Sequence, residues 1–331
     1  MGRRMKQVDK PIADVSNLNI GELQSTSQKI LDTINSVVLG KDSVARLCVV
    51  ALIAGEHVLL EDVPGVGKTL MAKALSRCID ANFSRVQFTP DLLPSDILGS
   101  SVYNTEKAAF VFNYGAIFSN FVLADEINRA PPRTQSALLE AMSDNQISVD
   151  GTTYELPDPF MVIATQNPFE FEGTYVLPES QLDRFLMRLS MGYPDRRFES
   201  QIILKHKSGN PVDDLTPVCS TEDIVQIRAA VQEVTVEESL VKYMMDVVNA
   251  TRESPDISVG VSTRGALAWY RASQALAFLE GRNYAIPDDI RALAVHVLSH
   301  RIQLRGGFQG ARREESEAAV TEILSKQTLP G

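Results

Sequence analysis

The chain has 331 residues, a formal net charge of −10 and an ordinary share of apolar residues, 44%. At roughly 150 residues per domain, this length predicts about two domains, with a core large enough to need no disulfide or metal support. The acidic balance is unfavourable for nonspecific binding to nucleic acid or to an anionic membrane, because both need a cationic surface.

The cysteines and the N-terminus exclude several further classes. Cys48, Cys78 and Cys219 lie far apart and form neither a CxxC pair nor a Cys/His cluster, so neither a zinc site nor a disulfide framework is expected. The basic N-terminal residues are not followed by the apolar segment that a secretory signal requires. The longest apolar stretch, residues 47–54, is too short to span a bilayer. We therefore expect a cytoplasmic protein without a membrane span.

Short apolar runs in the first half of the chain alternate with helical patterns. Runs that are apolar on both faces are typical of parallel strands covered by helices, so this order predicts an α/β sandwich with a parallel sheet. Two hairpins are predicted as insertions, near 101–112 and 147–156, the second around an Asp-Gly turn. Strands are expected at 57–60, 84–88, 121–124 and 160–164, and helices at 21–36, 43–54 and 68–78.

The pattern changes near residue 193 and becomes helical. Amphipathic spacing predicts helices at 196–208, 221–232, 237–252, 264–280 and 287–300, with prolines near the breaks between them. The chain is thus expected to contain a flexible N-terminal segment, 1–20, a nucleotide-binding α/β core, 21–193, and a smaller all-helical domain, 194–331.

A phosphate-binding loop is predicted between the first strand and the helix after it. The stretch DVPGVGKT follows a strand and opens a helix, which is the context that such a loop requires. Gly65 and Gly67 would let backbone N–H groups approach phosphate oxygens at the helix N-terminus. Lys68 would reach the β and γ phosphates, and Thr69 would bind Mg²⁺. Asp62, the first residue of the stretch, stands where such loops usually have a glycine.

Two carboxylates end the third predicted strand. Asp125 and Glu126 follow four apolar residues, and ligands of open α/β sheets bind at this end of the strands. Asp125 would hold Mg²⁺, and Glu126 would orient and polarise the attacking water. Such a pair is by itself typical of a solvated turn. The phosphate loop about 60 residues earlier favours the catalytic interpretation.

Three further polar residues are candidates for ATP hydrolysis. Asn167 ends the fourth predicted strand and could hydrogen-bond the γ-phosphate or the water, although the pattern by itself favours an ordinary Asn-Pro turn. Arg184 and Arg264 could each be a surface charge or part of a salt bridge. In an oligomeric ATPase, however, an arginine from a neighbouring subunit can accelerate hydrolysis about 10³–10⁵-fold. The chain has no Asn-Lys-x-Asp motif for reading guanine, which favours adenine.

The order of these motifs resembles the AAA+ superfamily and, within it, the MoxR family. The resemblance covers about residues 35–305 and is most specific between 57 and 190. The sequence departs from the family pattern at Ala116, Val176 and Ser180, none of which touches the proposed chemistry. The matching stretches are QFTPDLLPSD at 87–96, FVLADEINRAPPRTQSALLEAM at 121–142, ATQN at 164–167 and EGTYVLPESQLDRF at 172–185.

The resemblance implies a P-loop AAA+ core with a smaller helical lid, binding ATP and Mg²⁺, and it gives each candidate residue a role. Lys68 and Thr69 would be the Walker A residues, Asp125 and Glu126 the Walker B residues, Asn167 sensor 1, Arg264 sensor 2 on the lid, and Arg184 an arginine finger that acts in a neighbouring subunit. The implied nucleotide-binding residues are Gly40, beside the adenine, with Pro64, Gly65, Val66, Gly67, Lys68, Thr69 and Leu70.

The resemblance also implies partners. Members of the family are thought to form hexameric rings with chaperone-like activity. They often act with von Willebrand factor A-domain proteins in metal insertion or in the maturation of protein complexes. The two hairpins look like those of the helix-2-insert clade. We therefore expect a homo-oligomer with a protein client and no nucleic-acid partner.

Three alternatives stay open at this point. A motor subunit of a metal chelatase would use the same residues and differ only in its partner. A nucleic-acid translocase would need basic hairpins, whereas residues 146–156 contain no Lys or Arg and residues 101–112 contain only Lys107. A module that binds nucleotide without hydrolysing it would be expected to lack Glu126 and Asn167.

Overall fold

The structure is a computed structural model of the chain. It describes residues 18–63, 65–167, 173–205, 211–306 and 313–329. Most of the predicted N-terminal segment and Pro64 of the phosphate loop lie outside these ranges.

A five-stranded parallel sheet forms the centre of the first half of the chain. In chain order, the strands of this sheet and of the two hairpins are β1 Val58–Glu61, β2 Phe83–Gln87, β3 Gly99–Asn104, β4 Ala109–Tyr114, β5 Phe121–Asp125, β6 Gln146–Val149, β7 Thr152–Glu155, β8 Met161–Gln166 and β9 Met187–Leu189. The sheet has the order β2-β5-β8-β1-β9, and every neighbouring pair is parallel. Strands β1, β5 and β8 are buried in the middle because they are apolar on both faces. The predicted α/β sandwich is confirmed.

The two edge strands differ from the prediction. The stretch 84–88 is expected to be buried on both faces, but β2 is an edge strand whose Arg85 and Gln87 are exposed. An edge strand contacts only one neighbour in the sheet, so polar side chains along it keep their water. The other edge, β9, is not predicted because three residues are too few to show a periodic pattern.

Helices cover both faces of the sheet. Leu60 and Leu123 pack with the helices that precede and follow β1. Leu59 and Val122, which come one position earlier in each strand, pack on the opposite face against the long helix after β5. The helices of this part are α1 Ile20–Val37, α2 Asp42–Ile53, α3 Lys68–Cys78, α4 Pro94–Leu98, α5 Pro132–Asp144 and α6 Glu179–Leu182. Helix α3 has the predicted bounds, since it begins where the glycine-rich loop ends.

Both inserted hairpins are present. Strands β3 and β4 pair antiparallel, and so do β6 and β7. Asp150 and Gly151 connect β6 to β7 with φ angles of 52° and 76°, the left-handed conformations that two-residue hairpin turns favour. The rings of Phe112 and Tyr154 stack with their centroids 4.2 Å apart. The two hairpins therefore form one aromatic unit.

The second half of the chain is helical from residue 196 onward. Its helices are α7 Arg196–Lys205, α8 Thr221–Gln232, α9 Glu238–Glu253, α10 Thr263–Leu279, α11 Pro287–Leu298 and α12 Arg313–Lys326. The first five correspond to predicted helices, whereas α12 is not predicted because its charged sequence has little apolar periodicity. This part is not entirely helical, since β10 Ile257–Val259 pairs with β11 Gln303–Leu304. Among the described residues, no helix is long and apolar enough to cross a membrane.

His57 joins the sheet to α5 as a neutral side chain. Its Nδ1 accepts a hydrogen bond from the Val162 N–H (3.0 Å). The proton therefore lies on Nε2, which donates to the Met142 carbonyl (3.1 Å). A second proton on Nδ1 would face the Val162 N–H. Complete burial lowers the pKa of His57 to about 4, and the Arg228 guanidinium acts in the same direction.

Stability should therefore fall between pH 7 and pH 5. The unfolded chain protonates His57 with a pKa of about 6.5, whereas the folded chain does so only near pH 4. The stabilisation is complete above pH 6.5 and is lost as the pH falls toward 4, and about 2 kcal/mol of it is gone at pH 5. Urea unfolding at the two pH values measures this loss. In His57→Gln the loss on acidification should be smaller by about that amount, and an equal loss in both proteins would contradict the assignment.

Candidate functional site

A cleft of about 1310 Å³ opens at the carboxyl ends of the central strands. Because β5, β8 and β1 are neighbours in the sheet, the residues that follow them meet at one edge. The phosphate loop follows β1, Glu126 follows β5, and Asn167 follows β8, and all of them line the cleft. The structure thus brings together candidates that are up to a hundred residues apart in the sequence.

The phosphate loop has the backbone that its glycines allow. Gly65 and Gly67 have φ angles of 86° and 100°, which other residues adopt only with strain. Helix α3 begins at Lys68, so the unpaired N–H groups of its first turn adjoin the loop. Lys68 Nζ donates to the Asp62 carbonyl (2.7 Å). Burial lowers the pKa of Lys68, although nearby carboxylates act in the opposite direction. The loop residues that line the cleft are Gly65, Val66, Gly67, Lys68, Thr69 and Leu70.

One hydroxyl group on β8 positions both carboxylates. Thr165 Oγ1 donates to Asp125 Oδ1 (2.6 Å) and accepts a hydrogen bond from the Glu126 N–H (2.9 Å). Thr165 is fully buried, so these two partners satisfy the hydroxyl without water. Glu126 has a φ of 57° and a ψ of 50°, a left-handed conformation that is costly for a residue with a side chain. Such strain is often found at functional sites, where the surrounding structure enforces it.

Polar side chains hold each carboxylate within the cleft. Arg85 Nη2 lies 2.6 Å from Asp125 Oδ2, and its Nε lies 3.1 Å from the same oxygen. Gln87 Nε2 donates to Glu126 Oε2 (2.7 Å), and Arg129 Nε lies 3.1 Å from this oxygen. Both carboxylates therefore already have hydrogen-bonding or ionic partners, which a ligand that binds a carboxylate would have to displace.

Sequence reasoning misses Lys41, Arg85, Gln87 and Arg129, which also line the cleft. Arg85 and Gln87 are two positions apart on β2, so both point to one face of the strand. In the register of the sheet, Gln87 pairs with Asp125. A polar pair with this spacing at the end of a strand is a usable signal. The sequence does not say, however, that this strand lies next to β5.

The donor groups fit a Mg²⁺ ion bound together with phosphate. Thr69 and Asp125 both line the cleft, and a hydroxyl and a carboxylate are oxygen ligands of the kind that Mg²⁺ takes beside phosphates and water. To bind the ion directly, Asp125 Oδ2 would have to give up its ion pair with Arg85; otherwise it could bind the ion through a water molecule. The described residues contain no cluster of three or more His, Cys, Asp or Glu side chains that could hold a metal alone. Phosphate oxygens and water would supply the remaining ligands of such an ion.

Comparisons with known proteins agree with this geometry. Residues 57–187 match the family described as "ATPase family associated with various cellular activities (AAA)", and residues 249–323 match the AAA lid domain. The chain is 38% identical to Chaperone MoxR1 of Mycobacterium tuberculosis, over 92% of this chain and 82% of that protein. The chain is a MoxR-family AAA+ ATPase.

Two further similarities extend over nearly the whole MoxR-family chain. It is 49% identical to YeaC of Bacillus subtilis, over 91% of this chain and 94% of that protein. The crystal structure of a putative ATPase from Cytophaga hutchinsonii superimposes with a TM-score of 0.86 and 38% identity, over 94% of this chain and 97% of that one. The family resemblance, the α/β domain and the helical lid are therefore confirmed.

The two candidate arginines of the MoxR-family chain lie outside its own cleft. Arg184 is held by α5, where its Nη1 donates to the Leu139 carbonyl (2.6 Å). Arg264 is exposed at the start of α10. The segments that carry them are in contact, since Ser262 Oγ lies 3.4 Å from Asp183 Oδ2. Neither arginine is among the residues that line the cleft, so their roles in hydrolysis stay predictions.

Gly40 lies next to the cleft wall and packs against α7. Val38, Leu39 and Lys41 line the cleft, whereas Gly40 packs against Phe198 of α7. Its φ is 68°, and a Cβ at this position would lie 2.5 Å from Cδ2 of the Phe198 ring. Glycine is therefore required here both by the backbone conformation and by the close approach of the ring.

Gly40→Ala should distort the cleft. The substitution adds a side chain to a left-handed residue, at a cost of roughly 1–2 kcal/mol, and it also displaces Phe198 and α7. We expect nucleotide affinity to fall at least about tenfold, measured by titration with a fluorescent ATP analogue. Gly281→Ala is the matched control, because Gly281 has a φ of 74° and open space at its Cβ position. Equal affinities in the two variants would contradict this role.

Proposed function

We propose that this MoxR-family protein hydrolyses Mg-ATP in the cleft and uses the energy to remodel a protein client. The observation that carries the proposal is the Thr165 hydroxyl, which fixes Asp125 and the backbone of Glu126 at the edge of the sheet where the phosphate loop begins. A lysine, a carboxylate pair and an amide around one cleft are the groups that phosphoryl transfer to water requires.

Each group has a defined task in this proposal. Lys68 leaves the Asp62 carbonyl and neutralises charge on the β and γ phosphates. Thr69 and Asp125 hold Mg²⁺, which supplies further neutralisation of phosphate charge. Glu126 releases its hydrogen bond from Gln87, binds the attacking water instead and accepts the proton of that water. Asn167, at the end of β8, hydrogen-bonds the γ-phosphate or that water.

The site is completed by a neighbouring subunit in a ring. The placement of Arg184 supports this, because the side chain is held on α5 and does not line the cleft of its own chain. In a closed ring each chain presents such a surface to the next. Arg184 of one chain would then stabilise transition-state charge in the next, with Arg264 on the adjoining segment as a second candidate. A hexamer is the ring size that the family resemblance implies.

A protein client fits the exposed surface better than a nucleic acid does. Tyr103 and Phe110, which pair beside the turn of the first hairpin, expose 52% and 73% of their surface, and Lys107 is the single basic residue of this hairpin. The relative MoxR1 is named a chaperone and is 38% identical to this chain. We place the protein in the cytoplasm, with a von Willebrand factor A-domain protein as the candidate partner. A chelatase motor would use the same cleft with another partner.

Substitutions in the cleft should abolish hydrolysis in different ways. Lys68→Ala should lose nucleotide binding, because the loop would lack its phosphate-binding cation. Glu126→Gln should bind ATP normally but lose about 10²–10⁴-fold in kcat, the usual contribution of a general base. Phosphate release and analogue binding measure the two effects. Arg77→Ala, at an exposed position of α3, serves as the control. Hydrolysis that persists in Glu126→Gln would contradict the assignment.

Mixing two inactive variants should restore activity if Arg184 acts on a neighbour. Arg184→Ala keeps an intact cleft, and Lys68→Ala keeps an intact Arg184. In a randomly mixed ring, about a quarter of the interfaces then join a good cleft to a good arginine. We expect each variant to be inactive alone and the equimolar mixture to recover up to about that share of the wild-type rate. A mixture as inactive as its components would show that the arginine does not act across the interface.

A further inference from the structure

Asp62 binds the segment that leads from the sheet into the helical part. Strand β9 ends at Leu189 and α7 begins at Arg196, and we call residues 190–195 the β9–α7 connection. Asp62 Oδ2 accepts hydrogen bonds from Ser190 Oγ (2.9 Å) and from the Gly192 N–H (2.6 Å). The carboxylate is buried, so both bonds are shielded from water. A glycine at this position could make neither of them.

The residue between these two donors is held as well. Lys41 Nζ donates to the Met191 carbonyl (2.5 Å). Three consecutive residues of the connection are therefore bound by side chains from the α/β part. Lys41 is itself buried, and this burial lowers its pKa, although the nearby Asp62 and Asp195 carboxylates act in the opposite direction. The start of the connection is thus fixed to the floor of the cleft by a small network of charged groups.

The same residue also contacts the phosphate-binding lysine. The backbone carbonyl of Asp62 accepts the hydrogen bond from Lys68 Nζ, while its Oδ1 accepts one from the Val63 N–H (3.0 Å). One residue thus binds Lys68 through its main chain and the connection through its side chain. When Lys68 turns to a phosphate, the hydrogen bonding of Asp62 must change.

The connection and α7 form part of the cleft wall. Tyr193 and Pro194 of the connection line the cleft, and so do Glu199 and Ile202 of α7. A shift of the connection would therefore move residues that line the cleft and would also move the first helix after the sheet. This gives the phosphate loop a direct mechanical route to the helical part.

We propose that Asp62 is a positioning residue that makes the phosphate loop and the β9–α7 connection move as one unit, so that binding of phosphate by Lys68 displaces the helical part. The inference rests on the proposed function, because it needs ATP in the cleft. It also explains why an aspartate stands where other phosphate loops have glycine. The carboxylate of this aspartate binds the connection.

A distance measurement between the two parts tests this coupling. Cysteines introduced by Glu140→Cys on α5 and Asp246→Cys on α9 replace exposed residues. The native Cys48 and Cys78 are buried, and Cys219→Ser removes the third cysteine, which is partly exposed. Labelled full-length chains are diluted into unlabelled protein so that only distances within a chain are seen. Energy transfer is recorded before and after addition of a non-hydrolysable ATP analogue, whose affinity is measured in parallel.

We expect the analogue to shift the distance in the wild-type background. Asp62→Ala should keep analogue affinity within roughly fivefold of wild type, because Lys68 and the glycines remain, but it should lose most of the shift and at least about tenfold in kcat. Asp62→Asn retains one acceptor oxygen and should be intermediate. Ser190→Ala leaves the phosphate loop unchanged and should also reduce the distance shift and kcat. In the double variant it should reduce them little beyond the effect of Asp62→Ala alone.

The matched control is Glu56→Gln. Glu56 joins the α/β part to α10 through Arg271 (3.2 Å) but lies outside the phosphate loop, so this variant should keep the full shift. If Asp62→Ala or Ser190→Ala binds the analogue and shows the same distance shift as wild type, the coupling role of Asp62 is wrong. The role is also wrong if wild type hydrolyses ATP without any shift. A wild-type chain that neither binds nor hydrolyses ATP would instead overturn the proposed function, and the inference with it.

Discussion

The Thr165 hydroxyl is the interaction on which the geometry of the cleft depends. It is buried on β8, between the strands that carry the phosphate loop and the carboxylates, and it contacts both Asp125 and the backbone of Glu126. It donates one hydrogen bond and accepts one, so neither role depends on water. The strained backbone of Glu126 is thereby held in place. Parallel pairing of β5 with β8 is what puts this hydroxyl next to the two acidic residues.

The other contacts of the carboxylates are of a different kind. The ion pair of Arg85 with Asp125 and that of Arg129 with Glu126 involve arginines that are partly exposed, at 50% and 38% of the side-chain surface. Ion pairs that water can reach contribute about 0–1 kcal/mol, so exchanging them for a metal ion, a phosphate or a water molecule costs little. The buried Thr165 hydroxyl keeps the carboxylates in position, while the ion pairs with Arg85 and Arg129 can open. This combination suits a site that must bind and release its ligand repeatedly.

Buried polar groups join the α/β part to the helical part both near Arg184 and near the phosphate loop. Arg301, which follows α11, donates to Asp183 Oδ1 (2.8 Å) and to the Phe185 carbonyl (2.7 Å), and it is almost fully buried. A buried guanidinium is tolerated only when it is fully paired, so this joint has little freedom to slide. It flanks Arg184, the candidate for acting on a neighbouring subunit. Asp62 forms the second joint, beside the phosphate loop. The helical part is thus attached both near the cleft and near the arginine that would serve the next cleft.

The sequence by itself determined the parts of this protein whose signals are local. The loop 62–69, helix α3 and the buried strands β1, β5 and β8 could be predicted, because glycine spacing, helix starts and apolar runs depend on adjacent residues. The candidates Lys68, Asp125 and Glu126 are found at the ends of those elements, whereas the pattern at Asn167 by itself favours an ordinary Asn-Pro turn. The tertiary structure alone decided that β2 is an edge strand, that β9 completes the sheet, and that Arg85 and Gln87 contact the carboxylates. It also decided that Asp62 binds Ser190 and Gly192, some 130 residues away. These contacts depend on the order of the strands, which is set by the packing of the whole chain and leaves no periodic trace in the sequence.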